Sequence, residues 1–379
     1  MKGIHARIWL TGRFRPGWMA WEGGKLVSVK EGKPPRGARG IEDLGDARVA
    51  PGFVDTLLHG FVGHDVGAAS AKDLHSMTQA LASAGVTTAL AGFYPLELSG
   101  LRRAARRWDA WKSRTGSARA RIPGWHVEGP FIAPGMRGAL PRAGILQPTP
   151  QNVARLLKAC GGWLKMTTLA PERRGVLEAA QALRSAGVIP SVGHTAAGIE
   201  DCRKLAEPGP LAMTHLGNRM PPVSPREPGP VGFALLGEAS WVGLIPDATH
   251  VSNDFLALCA KTPALTSSLM AVSDNLSHAG LSGVDFHAGG KRLHREGSVA
   301  RDAGGGLAGT LDSLPELLAA RVAEGALTWA QAIRMGAEVP GRLFGDCGRF
   351  EPGLRADLVA LNSEGGVDKV WVGGRRAAN

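Results

Sequence analysis

The chain has 379 residues, of which 44% are hydrophobic and 20% charged, enough to bury a sizeable core and to exclude global disorder. Its 53 glycines and 25 prolines follow no three-residue period, which excludes a collagen-like rod and predicts many tight turns. The net charge of +11 is dispersed, and its densest clusters (Arg102, Arg103, Arg106 and Arg107, then Arg375 with Arg376) carry no interleaved aromatic track, so no nucleic-acid partner is expected.

Four cysteines, Cys160, Cys202, Cys259 and Cys347, form no CxxC pair and point to a reducing compartment. The first residues carry charges where a secretion signal needs an apolar core. No run approaches the roughly 18 apolar residues of a membrane span. A cytoplasmic protein with no membrane partner is expected.

In chain order, short β-prone runs come first: Ala6–Leu10, Met19–Trp21 and Leu26–Val29, broken by Gly12, Gly17, Gly23 and Gly24. Eight apolar runs follow: Ala50–Leu58, Val86–Phe93, Ile122–Glu128, Trp163–Ala170, Val188–His194, Leu211–His215, Trp241–Asp247 and Ser268–Asp274. Helical periodicity separates them over Leu74–Ala84, Leu101–Lys112, Val153–Cys160, Val176–Ala186 and Phe255–Ala260. Strands apolar throughout and alternating with helices predict a parallel (β/α)8 barrel over 51–345. An open doubly wound sheet is the alternative, disfavoured because no GxGxxG turn follows any strand. Gly304, Gly305, Gly306 and Gly309 form a glycine-rich loop, but no GK[ST] follows, which disfavours a phosphate-binding P-loop. Two further β-prone runs, Asp357–Leu361 and Val367–Val372, close the chain. Neither end can bury a core alone, so residues 1–50 and 346–379 are expected to pair into one small β-sandwich domain.

Polar residues close several of the barrel strands. Glu128 ends the third, His194 the fifth, His215 the sixth and Asp274 the eighth. A barrel gathers its strand C-termini at one mouth, so one carboxylate and two imidazoles converge there. Three such ligands with a fourth position open describe a catalytic zinc or similar divalent ion. Each histidine taken singly reads more readily as a hydrogen-bonded core residue than as a ligand; their common register favours a site.

The motifs carrying these residues resemble the amidohydrolase superfamily and, within it, the N-acetylglucosamine-6-phosphate deacetylase family. They are Pro51-Gly-Phe-Val-Asp55, His126-Val-Glu-Gly-Pro-Phe131, Leu169-Ala-Pro-Glu172, Val192-Gly-His-Thr195 and Thr214-His-Leu-Gly-Asn-Arg-Met-Pro-Pro222. Arg226-Glu-Pro-Gly229, Ile245-Pro-Asp-Ala-Thr-His-Val251, Ser273-Asp274, Leu307-Ala-Gly309 and Pro352-Gly-Leu-Arg-Ala-Asp357 continue the match.

The resemblance implies metal-dependent hydrolysis of the acetamide of N-acetylglucosamine 6-phosphate. A galactosamine phosphate or another N-acyl amine is the alternative substrate, and a non-catalytic binding protein on the same scaffold the alternative class. Glu128, His194 and His215 take the metal-ligand positions for one divalent ion per chain, zinc first, with iron, manganese or cobalt as substitutes. Asp274 takes the catalytic position and His250 the one beside the scissile carbonyl. Asn218, Arg219 and Arg226 fall in the substrate-contacting segments, Arg226 being supplied across a homodimer interface.

Three departures accompany the match. Leu57 replaces the first ligand of the superfamily's HxH signature, which argues for one metal and leaves His59 and His64 either beside the ligands or purely structural. Leu140 stands where relatives carry a histidine, and Arg219 where they carry a small residue.

Overall fold

The two ends of the chain share one sheet. The structure, a computed structural model, describes residues 1–113, 118–288 and 290–378. Seven strands lie side by side in the order Arg375–Arg376, Val367–Val372, Leu358–Leu361, Ile41–Pro51, Lys2–Leu10, Arg13–Glu22 and Lys25–Glu31. Alternation explains the buried face: Ile4, Ala6 and Ile8 of the strand Lys2–Leu10 are inside together. Its hairpin turns through Thr11 and Gly12, both at positive φ, the conformation that matches strand twist in a two-residue loop. Trp21 Nε1 donates to Gly374 O at 3.0 Å and ties the two termini together. The small β-sandwich domain expected from the termini is present.

The barrel strands are Phe53–Leu58, Val86–Phe93, Arg121–Phe131, Leu164–Leu169, Ile189–Val192, Ala212–Met213, Trp241–Leu244 and Leu269–Ala271, all parallel. Closure comes from chain beyond the eighth: Asp274 N donates to Leu57 O at 2.9 Å and His59 N to Asn275 O at 2.7 Å. The outer helices are amphipathic. Pro150–Cys160 buries Val153, Leu156, Ala159 and Cys160 on one stripe, is capped by Thr149 and stops at Gly161 in the left-handed region. Among the described residues no helix is long and apolar enough to cross a membrane.

Four strands end two or three residues before the sequence predicts, the seventh barrel strand at Leu244. The fifth ends at Val192, the sixth at Met213 and the eighth at Ala271. His194, His215 and Asp274, expected as strand ends, leave the ladder because their backbones turn to positive φ.

A second departure is an antiparallel four-stranded sheet, Asp285–Ala288, Lys291–Glu296, Val299–Asp302 and Leu307–Thr310, placed between the eighth strand and helix Leu314–Ala323. The second of these strands reads Lys-Arg-Leu-His-Arg-Glu, with one apolar residue, so no alternation betrays it. The glycine-rich loop turns the chain between its last two strands.

Candidate active site

The groups gathered at the barrel mouth are held by strained backbone. His194, His215 and Asp274 sit at φ of 49°, 31° and 53°, a region that costs non-glycine residues on the order of 1–2 kcal/mol. Such strain persists only where packing enforces it. His194 Nε2 and His215 Nε2 lie 3.2 Å apart, and Glu128 Oε1 lies 2.9 Å from the first and 2.8 Å from the second. Three ligands around a tetrahedral ion at about 2.0–2.2 Å stand roughly 3.3 Å apart, so this triangle fits a divalent metal with a small expansion. His194 Nδ1 donates to Met136 O at 2.9 Å, which fixes the ring with Nε2 toward Glu128, the orientation a ligand requires. Burial works to raise the Glu128 carboxyl, yet hydrogen bonds from His194, His215 and His59 hold it well below its ordinary range.

His59 belongs to the same cluster. Its Nδ1 donates to Gly92 O at 2.8 Å, so Nε2 faces Asp274 Oδ1 at 3.0 Å and Glu128 Oε2 at 3.3 Å. Burial opposes its charge, but the bonds to Asp274 and Glu128 prevail and push its pKa up to about 10. Tyr94 stacks on the imidazole at 4.1 Å. His59, Glu128 and Asp274 form a second group close enough to share a cation. His64 lies outside both groups.

His250 is fixed by Asp247, which accepts from its Nδ1 at 2.5 Å and from its backbone N at 2.7 Å. The Asp247 carboxyl is buried, which works to raise it, yet its bonds to His250 hold it below its ordinary value. His250 therefore keeps Nε2 for a ligand.

These side chains line a cavity of about 580 Å³, with Leu140, Asn218, Arg219 and Lys291 also on its walls. A larger cleft of about 840 Å³, between the terminal strands and Arg119, shares no residue with it and holds neither metal group.

Residues 48–377 match the Amidohydrolase family. The chain is 30% identical to the N-acetylgalactosamine-6-phosphate deacetylase of Escherichia coli O157:H7, covering 87% of this chain and 88% of that one. The chain belongs to the amidohydrolase family. As a member of it, the chain is a metal-dependent hydrolase. It is 29% identical to the N-acetylglucosamine-6-phosphate deacetylase of Bacillus subtilis, over 92% of this chain and 89% of that one. Among solved structures, a point mutant of the N-acetyl-D-glucosamine-6-phosphate deacetylase of Mycobacterium smegmatis, in complex with N-acetyl-D-glucosamine-6-phosphate, superposes with a TM-score of 0.88. It is 31% identical, and the match covers 100% of this chain and 99% of that one.

Against that family background, the structure brings Glu128, His194, His215, Asp274, His250, Asn218 and Arg219 to one cavity. Arg226 is not on its walls. It stands exposed on the 221–228 loop, and among the described residues its side chain makes no hydrogen bond or ion pair. The neighbouring Glu227 turns away from it instead, Oε1 accepting from the backbone N of Ile199 at 2.8 Å and of Gly229 at 2.9 Å. Sequence reasoning missed Asp247 and Tyr94. Asp247 was within reach of it, three residues before His250; Tyr94 carries no motif.

Proposed function

We propose that this amidohydrolase removes the acetyl group of N-acetylglucosamine 6-phosphate, giving glucosamine 6-phosphate and acetate. The observation that carries the reading is the triangle of Glu128 Oε1, His194 Nε2 and His215 Nε2 beside the Asp274 carboxylate. A second substrate, N-acetylgalactosamine 6-phosphate, is favoured by the 30% identity to the Escherichia coli enzyme named for it.

Glu128, His194 and His215 hold one divalent ion, zinc by the mixed nitrogen and oxygen donor set. When bound, that ion lowers the pKa of a water molecule and polarises the amide carbonyl. Asp274 accepts the proton of the water that attacks the carbonyl carbon, and returns it to the nitrogen as the carbon–nitrogen bond breaks. His59 holds Asp274 in place through Oδ1. His250, braced by Asp247, points Nε2 at the carbonyl oxygen and supports its developing charge. Asn218, Arg219 and Arg226 contact the sugar phosphate, Arg226 from an exposed proline-rich loop that reaches the substrate bound in a partner subunit of a homodimer. A cytoplasmic location and a division into 1–50 with 346–379 against 51–345 complete the reading.

The experiment is acetate release by metal-loaded protein from a panel of N-acetylhexosamines, with and without a 6-phosphate. Release from the phosphorylated glucosamine derivative in preference to the others supports the proposal. Release from none of them overturns it.

A further inference from the structure

The antiparallel insert over the cavity is used by nothing in the mechanism above, yet it contributes Lys291, Leu293, Arg301 and Gly305 to the cavity wall. The insert is anchored apolar side down. Leu293, Phe286 and Ala300 pack with Leu276 and Leu311, and Tyr94 lies against them. Lys291 shares the face of Leu293, two residues along the same strand, so its side chain follows the anchored face toward the cavity. Arg219 lines the cavity from the loop after the sixth barrel strand. Its backbone is at φ 51°, a costly position for an arginine, and a Cβ at Gly138 would lie 2.4 Å from its Nε. The guanidinium thus lies directly against the glycine at 138, and a side chain there would have to push it aside. Among the described residues its side chain makes no hydrogen bond or ion pair, so it is poised for a ligand.

Asp302 joins the two cations. It lies 3.8 Å from Lys291 Nζ, feels the charge of Arg219, and accepts from the backbone N of Gly304 and Gly306. That is what the glycine-rich loop does: it folds around a carboxylate that pairs with Lys291 and lies within the field of Arg219. Acidic groups, Glu128 and Asp274, occupy the floor of the cavity, and the cations stand away from them on its rim. A ligand with a neutral amide at one end and a dianion at the other matches that polarity.

We infer that Arg219 and Lys291 form an anion clamp within one chain that grips the phosphate of the substrate, one cation from the barrel and one from the insert. This rests on the phosphosugar reading above. The test is kcat/KM on N-acetylglucosamine 6-phosphate and on the unphosphorylated sugar, for the wild type, Lys291→Ala, Lys291→Arg and Arg292→Ala, with melting temperatures to confirm folding. Arg292 is the neighbour on the opposite face of the same strand.

The expected result is a preference for phosphate that falls about tenfold or more in Lys291→Ala, mainly through KM. It recovers in Lys291→Arg and stays at the wild-type value in Arg292→Ala. A wild type that prefers phosphate and a Lys291→Ala variant that keeps that preference within about twofold overturn the clamp alone. A wild type with no preference overturns the phosphosugar reading and the clamp with it.

Discussion

The floor and the roof of the cavity are built on opposite principles. The floor consists of Glu128, His194, His215 and His59, all nearly inaccessible, placed by the ends of parallel strands and locked by mutual hydrogen bonds of 2.8–3.3 Å. The roof, from the insert, presents Lys291 on half-buried chain with an ion pair at 3.8 Å, and beyond the cavity walls Arg226 stands exposed on the 221–228 loop with, among the described residues, none. Chemistry needs fixed distances, so it sits where backbone strain can be enforced by a packed barrel. Recognition of a phosphate needs charge at a longer reach, which exposed segments supply and can change without disturbing the barrel. Damage to the floor should therefore stop the reaction on every substrate, and damage to the roof should change only which substrate is preferred.

The largest effect is expected at the shared carboxylate. Glu128→Gln removes the negative donor that both metal-ligand imidazoles face, so elemental analysis should find the retained ion reduced from about one per chain to a small fraction, with activity lost in parallel. The same analysis on wild type sharpens the reading of His59: two tightly held ions per chain would make His59 and Asp274 ligands rather than a positioned acid and its brace.

Asp274→Asn comes next. It keeps the shape of the side chain and removes its capacity to accept a proton, so kcat should fall about 10²–10⁴-fold with the metal content unchanged. A metal-replete variant with near-normal kcat contradicts the assignment.

Outside the cavity, Arg226→Ala should leave the metal in place and reduce the preference for phosphorylated over unphosphorylated sugar by about 2–4 kcal/mol. Equal losses on both substrates would mean that the loop shapes the whole cavity instead.

The smallest effect concerns stability beneath the floor. Asp55 is buried with one oxygen accepting from Leu57 N and Ser273 N and the other without a partner. Burial outweighs these bonds and pushes its pKa from 3.8 up to about 6. The folded chain thus keeps a proton that the unfolded chain has released. The stability this gives is present below about pH 4 and lost as pH rises through 6, on the order of 3 kcal/mol in all. Asp55→Asn cannot titrate, so denaturant unfolding at a series of pH values should show a flatter profile than wild type between about pH 4 and 6. Parallel profiles would refute the shift.

Legibility in the sequence follows the same divide. Strand runs such as Val86–Phe93 and Val367–Val372 agree residue for residue with the structure; in the first, continuous burial leaves an apolar run, and in the second the glycines that follow mark its end. The floor residues were readable as polar side chains ending those runs, although their departure from the ladder was not, since positive φ in a histidine has no sequence signature. The insert escaped because its strands are charged and anchored by single residues such as Leu293. Asp302 escaped too: its partners Lys291 and Arg219 are distant in sequence and meet only in the fold.

The division between floor and roof can be tried in one comparison: kcat/KM of wild type and metal-loaded Asp274→Asn on both N-acetylglucosamine 6-phosphate and N-acetylglucosamine. The variant is expected to lose about 10²–10⁴-fold on each substrate and to keep the wild-type ratio between them. A variant that loses activity on only one of the two sugars, changing that ratio by more than about tenfold, would show that Asp274 takes part in selection and that the two functions are not separated in this cavity.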